Sequence, residues 1–245
     1  MGSDSYISAS GAAARVRDLD VVSNNLANAG TPGYKRSESI FRSVFETSLR
    51  DARGRAVAGA PMGAFVKTDF VGTDFAQGSA ERTGSPLHAM IKGSGFFVVE
   101  TSRGPRYTRS GNFSINREGQ LATPKGDAIL GESGPIKIPD GDARILPNGQ
   151  VTDSRGNVFG RLKVVDFGNL QKLSREGDSL FRAAPEASEV EVDELLLVPG
   201  SIEGSNVQTA RELSALVELQ RAYETNLRAM QVDDETTQRL IEGIR

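Results

Sequence analysis

The chain has 245 residues, with 29 Lys and Arg against 32 Asp and Glu, one His and no Cys. The formal charge of −3 argues against a nucleic-acid footprint, and without Cys there is no disulfide framework, thiolate metal site or cysteine nucleophile. No run approaches the ~18 apolar residues of a membrane span, and Arg15, Arg17, Asp18 and Asp20 interrupt any secretory apolar core, so cytoplasmic residence or export with an intact N-terminus is expected.

All ten prolines lie between Pro32 and Pro199, and both proline-free ends read as helices. The first spans about 6–29, with Asp4 or Ser5 placed to cap it. Leu19, Val22, Leu26 and Ala29 keep the three-four spacing of one stripe, and Ala9, Ala12, Ala13 and Ala14 leave a slim surface for a close neighbour. Gly30 sits where a left-handed cap residue belongs, and Pro32 cannot extend the helix. From 37 to 50, Ile40, Phe41, Val44, Phe45 and Leu49 recur at helical spacing and predict a short amphipathic helix, followed by a Gly, Ala and Arg-rich linker over 53–63.

The middle reads as antiparallel β. Phe96-Phe97-Val98-Val99 is a short buried strand opened by Gly95. Arg103-Gly104, Glu118-Gly119 and Lys125-Gly126 mark turns, and Asn148-Gly149 is the strongest hairpin signal. Eight to ten strands ending near Arg182 are expected, with a last strand at 194–198. The second long helix spans about 206–242, roughly 55 Å at 1.5 Å per residue. Leu213, Leu216, Gln220, Tyr223, Leu227, Met230, Asp234, Thr237, Ile241 and Ile244 step by three and four like a coiled-coil seam. Val217, Leu219, Val232 and Leu240 lie off that seam, so this arm has apolar residues for more than one neighbour. Both arms are expected to be largely disordered in the monomer and to order against neighbouring subunits.

Catalytic signals are poor. A lone His88 makes a triad or His-rich zinc site improbable. Asp69 and Asp74 repeat in Thr-Asp-Phe steps, a pairing glycosidases use, yet glycines beside them favour turn roles. Asp140-Gly141-Asp142 lacks the acidic ladder of a calcium loop, and Gly93-Ser94-Gly95 precedes a strand, not the helix a phosphate cradle needs. A binding or structural role is favoured over an enzyme, with no cofactor or metal expected. A periplasmic β-domain that binds glycan or acts on the cell wall is the competing reading.

The run Asn24-Asn25-Leu26-Ala27-Asn28-Ala29-Gly30-Thr31-Pro32-Gly33-Tyr34-Lys35 resembles the N-terminal signature of bacterial flagellar axial proteins, the rod and hook subunits. Gly93-Ser94-Gly95-Phe96-Phe97-Val98-Val99 and Tyr107-Thr108-Arg109-Ser110-Gly111-Asn112-Phe113 resemble their shared central domain. Gly204-Ser205-Asn206-Val207 and Gln220-Arg221-Ala222-Tyr223-Glu224-Thr225-Asn226 resemble the C-terminal signature. Phe75-Ala76-Gln77-Gly78 is most like the proximal-rod branch, with the distal-rod branch as runner-up. The resemblance implies a subunit exported through the flagellar export apparatus, joining itself and other rod subunits in a helical tube in the periplasm that transmits motor torque. It implies no membrane insertion.

The expected fold is therefore α+β. A discontinuous coiled-coil-like helical domain comes from both termini, with an antiparallel all-β domain inserted. The expected boundaries are a helical arm at 1–36, a short helix and linker at 37–64, the β-domain at 65–200, and a second arm at 201–245. Leu19, Val22, Asn25, Leu26, Asn28, Leu213, Leu216, Gln220, Tyr223, Leu227, Met230 and Ile241 are the expected assembly interface. Thr31, Pro32, Gly33, Tyr34 and Lys35 form the signature turn. Asn25 and Asn28 suit either polar register contacts between helices or simple capping before Gly30.

Overall fold

The computed structural model describes residues 2–45, 64–139, 141–192 and 195–242. The protein is α+β and forms two compact units, each discontinuous in sequence. One gathers Met1–Ala27, Ser37–Thr73 and Gln208–Arg245; the other gathers Asn28–Arg36 and Asp74–Val207.

In the first unit, helix α1 (Gly2–Ala27) and helix α2 (Thr209–Glu242) lie against each other. Both helices are formed within the single chain, because each offers the other an apolar stripe. Strands β1 (Ser37–Phe45) and β2 (Ala64–Thr73) complete this unit as an antiparallel ribbon, with an irregularity between Ile40 and Phe41. The helix expected over 37–50 is thus a strand as far as Phe45. Apolar residues at 40, 41, 44 and 45 satisfy helical spacing, but Ile, Phe and Val also suit a pleated surface, and the partner strand lies beyond local reach. The expected linker over 53–63 lies outside the described residues.

Two boundaries differ from expectation. The β-rich unit starts at Asp74, not at 65, because β2 pairs with β1 in the helical unit. The signature turn, Asn28–Arg36, belongs to the β unit and not to the helical arm.

The β unit opens with β3 (Ala80–Arg82), β4 (Ala89–Ile91), β5 (Phe96–Thr101), β6 (Gly104–Thr108), β7 (Ser114–Ile115), β8 (Leu121–Ala122), β9 (Ala128–Gly131) and β10 (Gly134–Pro135). It continues through β11 (Arg144–Ile145), β12 (Gln150–Thr152), β13 (Val158–Arg161), β14 (Val164–Phe167), β15 (Leu173–Gly177) and β16 (Leu180–Ala183). It ends with β17 (Glu189–Glu191), β18 (Leu197–Pro199) and β19 (Ser201–Glu203). Glycine turns cut the meander into more and shorter strands than the eight to ten expected; beyond Arg182 come β17, β18, which overlaps the last strand expected at 194–198, and β19.

The main sheet runs β15-β16-β6-β5-β9-β8-β7, with β14 also on β5 and β17 on β14. Smaller sheets pair β11-β12-β13, β18 with β4, and β19 with β3, and every named ladder is antiparallel. The Asn148-Gly149 turn joins β11 to β12 as expected, with Gly149 at φ +83° and its N–H donating to Leu146 O. Strand β5 is buried on both faces. Its period of two sends Phe97 and Val99 into a cluster with Leu121, Ile129 and Val151. Phe96 and Val98 enter another with Tyr107, Val165 and Phe181.

Candidate assembly faces and the buried knot at the signature turn

In the helical unit, Ala12, Ala14, Asp18, Val22 and Asn25 are the buried residues of α1. Leu19 and Leu26 beside them are half-buried. On α2, Glu212 is buried, and Ala215, Leu216, Leu219, Ala222, Tyr223, Asn226 and Met230 form a half-buried stripe. Gly11 of α1 faces Asn226, where an added Cβ would lie 3.8 Å from Asn226 Nδ2. The seam residues of α2 therefore divide. Leu216, Tyr223 and Met230 fall on the covered face, whereas Leu213, Gln220 and Leu227 are exposed. Ile241 lies in the last turn of α2. Together with Val217 and Val232, Leu213 and Leu227 leave α2 with 38% to 60% exposure at four apolar positions.

Asn25 is fully buried and ties three elements of this unit. Its Nδ2 donates to Ser37 O at 2.8 Å and its Oδ1 accepts from Ser37 N–H at 2.8 Å. The same Nδ2 reaches Glu212 Oε2 at 3.4 Å. The side-chain amide thus acts as an extra rung for the start of β1 and meets the first turn of α2. Asn28 holds the turn that follows α1. Its carbonyl accepts from Thr31 N–H at 3.1 Å and its Oδ1 from Thr31 Oγ1 at 3.2 Å.

In the β unit, the signature turn closes over a buried ionic knot. Lys35 and Glu203 have side chains 1% and 0% exposed, with Nζ 2.5 Å from Oε1. Lys35 Nζ also donates to Ala76 O at 2.7 Å. Arg109, 6% exposed, donates through Nη1 to Glu203 Oε2 at 3.4 Å and to Gly93 O at 2.8 Å, and its guanidinium lies 5.1 Å over the Phe96 ring. Gly78 N–H donates to Glu203 Oε1 at 2.9 Å. Two cations thus share one carboxylate. Burial pulls the Lys35 ammonium below the ordinary lysine range, a shift the Glu203 hydrogen bond partly offsets; burial likewise lowers Arg109.

Close backbone approach builds the rest. Gly33 has φ +67°, its N–H donates to Glu203 O at 2.7 Å, and a Cβ there would lie 2.3 Å from Ser110 N. At Gly78 a Cβ would lie 2.0 Å from Gly204 O. Tyr34 is buried under the Arg175 guanidinium, 4.1 Å from its ring, and Arg175 Nη2 donates to Lys35 O. Thr31 and Pro32 line a groove of about 170 Å³ with Thr123, Pro124, Lys125 and Asp178. Asn206 clasps two stretches of chain: its Oδ1 accepts from Arg36 N–H at 2.6 Å, and its Nδ2 donates to Asp74 O at 2.9 Å and Ala76 O at 3.1 Å.

The matches with known proteins follow this layout. The flagella basal body rod protein family covers residues 6–35, the flagellar hook protein FlgE/F/G D1 domain covers 90–158, and the flagellar basal body rod FlgEFG protein C-terminal family covers 198–242. The flagellar basal-body rod protein FlgF of Caulobacter vibrioides is 31% identical over 231 residues, 93% of this chain and 92% of the relative. The chain belongs to the flagellar basal-body rod protein family. A second rod protein, FlgG of Agrobacterium fabrum, is 33% identical over 252 residues, 94% of each chain. The FlgG of Buchnera aphidicola subsp. Schizaphis graminum is 31% identical over 254 residues, 96% of this chain and 97% of the relative. Both rod names are thus matched over nearly the whole chain.

The residues with catalytic potential take structural places in this rod-family chain. Asp74 Oδ1 accepts from Ala76 N–H at 2.9 Å in a tight turn, and Asp69 sits in β2. Half-buried His88 bonds Thr83 Oγ1 through Nδ1 at 2.8 Å, and burial lowers its pKa. Asp142 accepts from Ser154 N–H at 3.0 Å, while Asp140 lies outside the described residues. Among the described residues no group of three or more His, Cys, Asp or Glu is placed to hold a metal, and no helix is long and apolar enough to cross a membrane. Sequence reasoning passed over Glu203 and Glu212, and met Arg109, Asn206 and Gly78 only as parts of the family resemblance, with no role assigned to them. The available signal was charge or amide within glycine- and serine-rich runs, as in Thr108-Arg109-Ser110-Gly111 and Glu203-Gly204-Ser205-Asn206.

Proposed function

We propose that the chain is a structural subunit of the flagellar rod, not an enzyme, and that its helical unit builds the wall of the tube. The observation that carries this reading is the apolar surface left on α2 after α1 is in place. Leu213, Val217, Leu227 and Val232 are 46%, 45%, 38% and 60% exposed, and Val16 of α1 is 41% exposed. A helix with apolar residues outside its covered stripe has room for a further neighbour. In the rod those neighbours are other copies and other rod subunits, and α1 and α2 pair in coiled-coil fashion within a discontinuous terminal domain. The β unit adds lateral contacts outside the tube and stiffens it against torque. The subunit reaches the periplasm through the flagellar export apparatus.

Cells lacking their own copy and carrying Leu213→Asp with Leu227→Asp test this. Motility in soft agar should be lost and the chain should be absent from purified rods, while the purified variant keeps the β-unit fold by circular dichroism. Full motility with both aspartates in place would refute assembly through this face.

A further inference from the structure

The two apolar clusters of the β unit draw their buried residues from Ala89 to Leu197. Nothing after Leu197 belongs to them; β19 buries one apolar side chain, Ile202, outside both clusters, so the two clusters themselves do not require β19. The polar contacts do require it. Residues 201–203 pair with β3, receive Gly33 N–H, and bring Glu203 between Lys35 and Arg109. Arg109 follows directly on β6, which pairs with β5 and β16, and its guanidinium packs on Phe96 of the apolar cluster. Closing that cluster before β19 arrives would bury a guanidinium with no carboxylate partner, which is costly in a dry site. Asp74 and Asp166 favour charge on Lys35 and Arg109 through space, but Glu203 is the carboxylate that pairs with both.

We infer that Glu203 is a late lock: the β unit does not close until its last strand has arrived, so closure reads both sequence ends of the unit at once. The turn at 31–35 and the strand at 201–203 are separated by most of the chain, and a chain short of residue 203 lacks the anion that lets Arg109 and Lys35 be buried. Chain completeness is thereby coupled to folding. The inference stands on the β unit alone and does not depend on the rod reading.

Pulse-labelling hydrogen exchange during refolding of the full chain tests it. Amides of β5, β6 and β9 should gain protection in the same kinetic phase as Thr83 and Gly204, whose N–H groups bond to Gly200 O and Ser79 O. In the variant Lys35→Met, Arg109→Met and Glu203→Met, which removes all three charges, the core amides should be protected about tenfold or more ahead of Gly204. Core strands protected well before Gly204 in the unaltered chain would overturn the inference, as would a triple variant with unchanged order. If the triple variant does not fold, the pattern in the unaltered chain decides.

Discussion

Glu203→Gln and Lys35→Met each delete one buried charge, yet their costs should differ. The knot holds two cations and one anion. Removing Lys35 leaves Arg109 paired with Glu203, and Glu203 Oε1 keeps the Gly78 N–H at 2.9 Å. Ala76 O, which loses its 2.7 Å bond from Lys35, keeps Asn206 Nδ2 at 3.1 Å. No buried group is orphaned, so the loss is that of hydrogen bonds to a charged group, about 1.5–3 kcal/mol. Changing Glu203 to its neutral isostere leaves Lys35 and Arg109 buried together without an anion, and breaking a buried pair this way costs about 3–5 kcal/mol. Against a typical domain stability of about 5–15 kcal/mol, the second change takes a large share. Urea denaturation of both variants followed by far-UV circular dichroism reads the difference, with unchanged m-values confirming that only stability moved. A Lys35→Met variant as destabilised as Glu203→Gln would refute the charge count.

Further outcomes follow from the same geometry. Gly78→Ala should destabilise the β unit by about 3 kcal/mol or more, since its Cβ meets Gly204 O at 2.0 Å and both are backbone-held; a shift in urea midpoint under a few tenths molar would contradict it. Asn25→Ala should cost about 1–3 kcal/mol by removing the partner of Ser37 N–H and O in a half-buried setting, and Asn28→Ala less. Equal thermal shifts for the two would contradict the three-element tie at Asn25. Acid should destabilise the β unit. The Arg106 hydrogen bond lowers Glu176, and at Glu189 burial pushes upward but hydrogen bonds from Tyr107 and Lys163 prevail, so both sit below the ordinary carboxylate value. Groups so depressed contribute fully above about pH 4.3 and lose that contribution as pH falls through their native values. The thermal midpoint should hold from pH 7 to about 5 and fall below about 4; a midpoint unchanged at pH 3 would contradict this.

The ends of the chain were legible because their signals are local. Gly30 and Pro32 stop α1, and a proline-free run carries α2. The β middle was legible from its glycine turns and from Phe96–Val99. What escaped was long-range. Ile40, Phe41, Val44 and Phe45 satisfy helix and strand alike, and only pairing with β2 settles the matter. On α2, two stripes compete: 213, 220 and 227 against 215, 219, 222 and 226, sharing 216, 223 and 230. Packing on α1 selects the second. The knot joins Lys35 to Glu203 across 168 residues, and no spacing rule spans that distance. The same locality explains why the signature turn was assigned with α1: its partners, Glu203 and Asn206, lie at the far end of the β unit.

Because the chain has no cysteine, Leu213→Cys and Leu227→Cys each supply a unique thiol on the exposed face of α2. Maleimide labelling of each, compared between the purified chain and rods isolated from motile cells, tests assembly through the helical unit most directly. Rapid labelling in the free chain with protection in the rod is the expected result. Equal labelling in both states would contradict it.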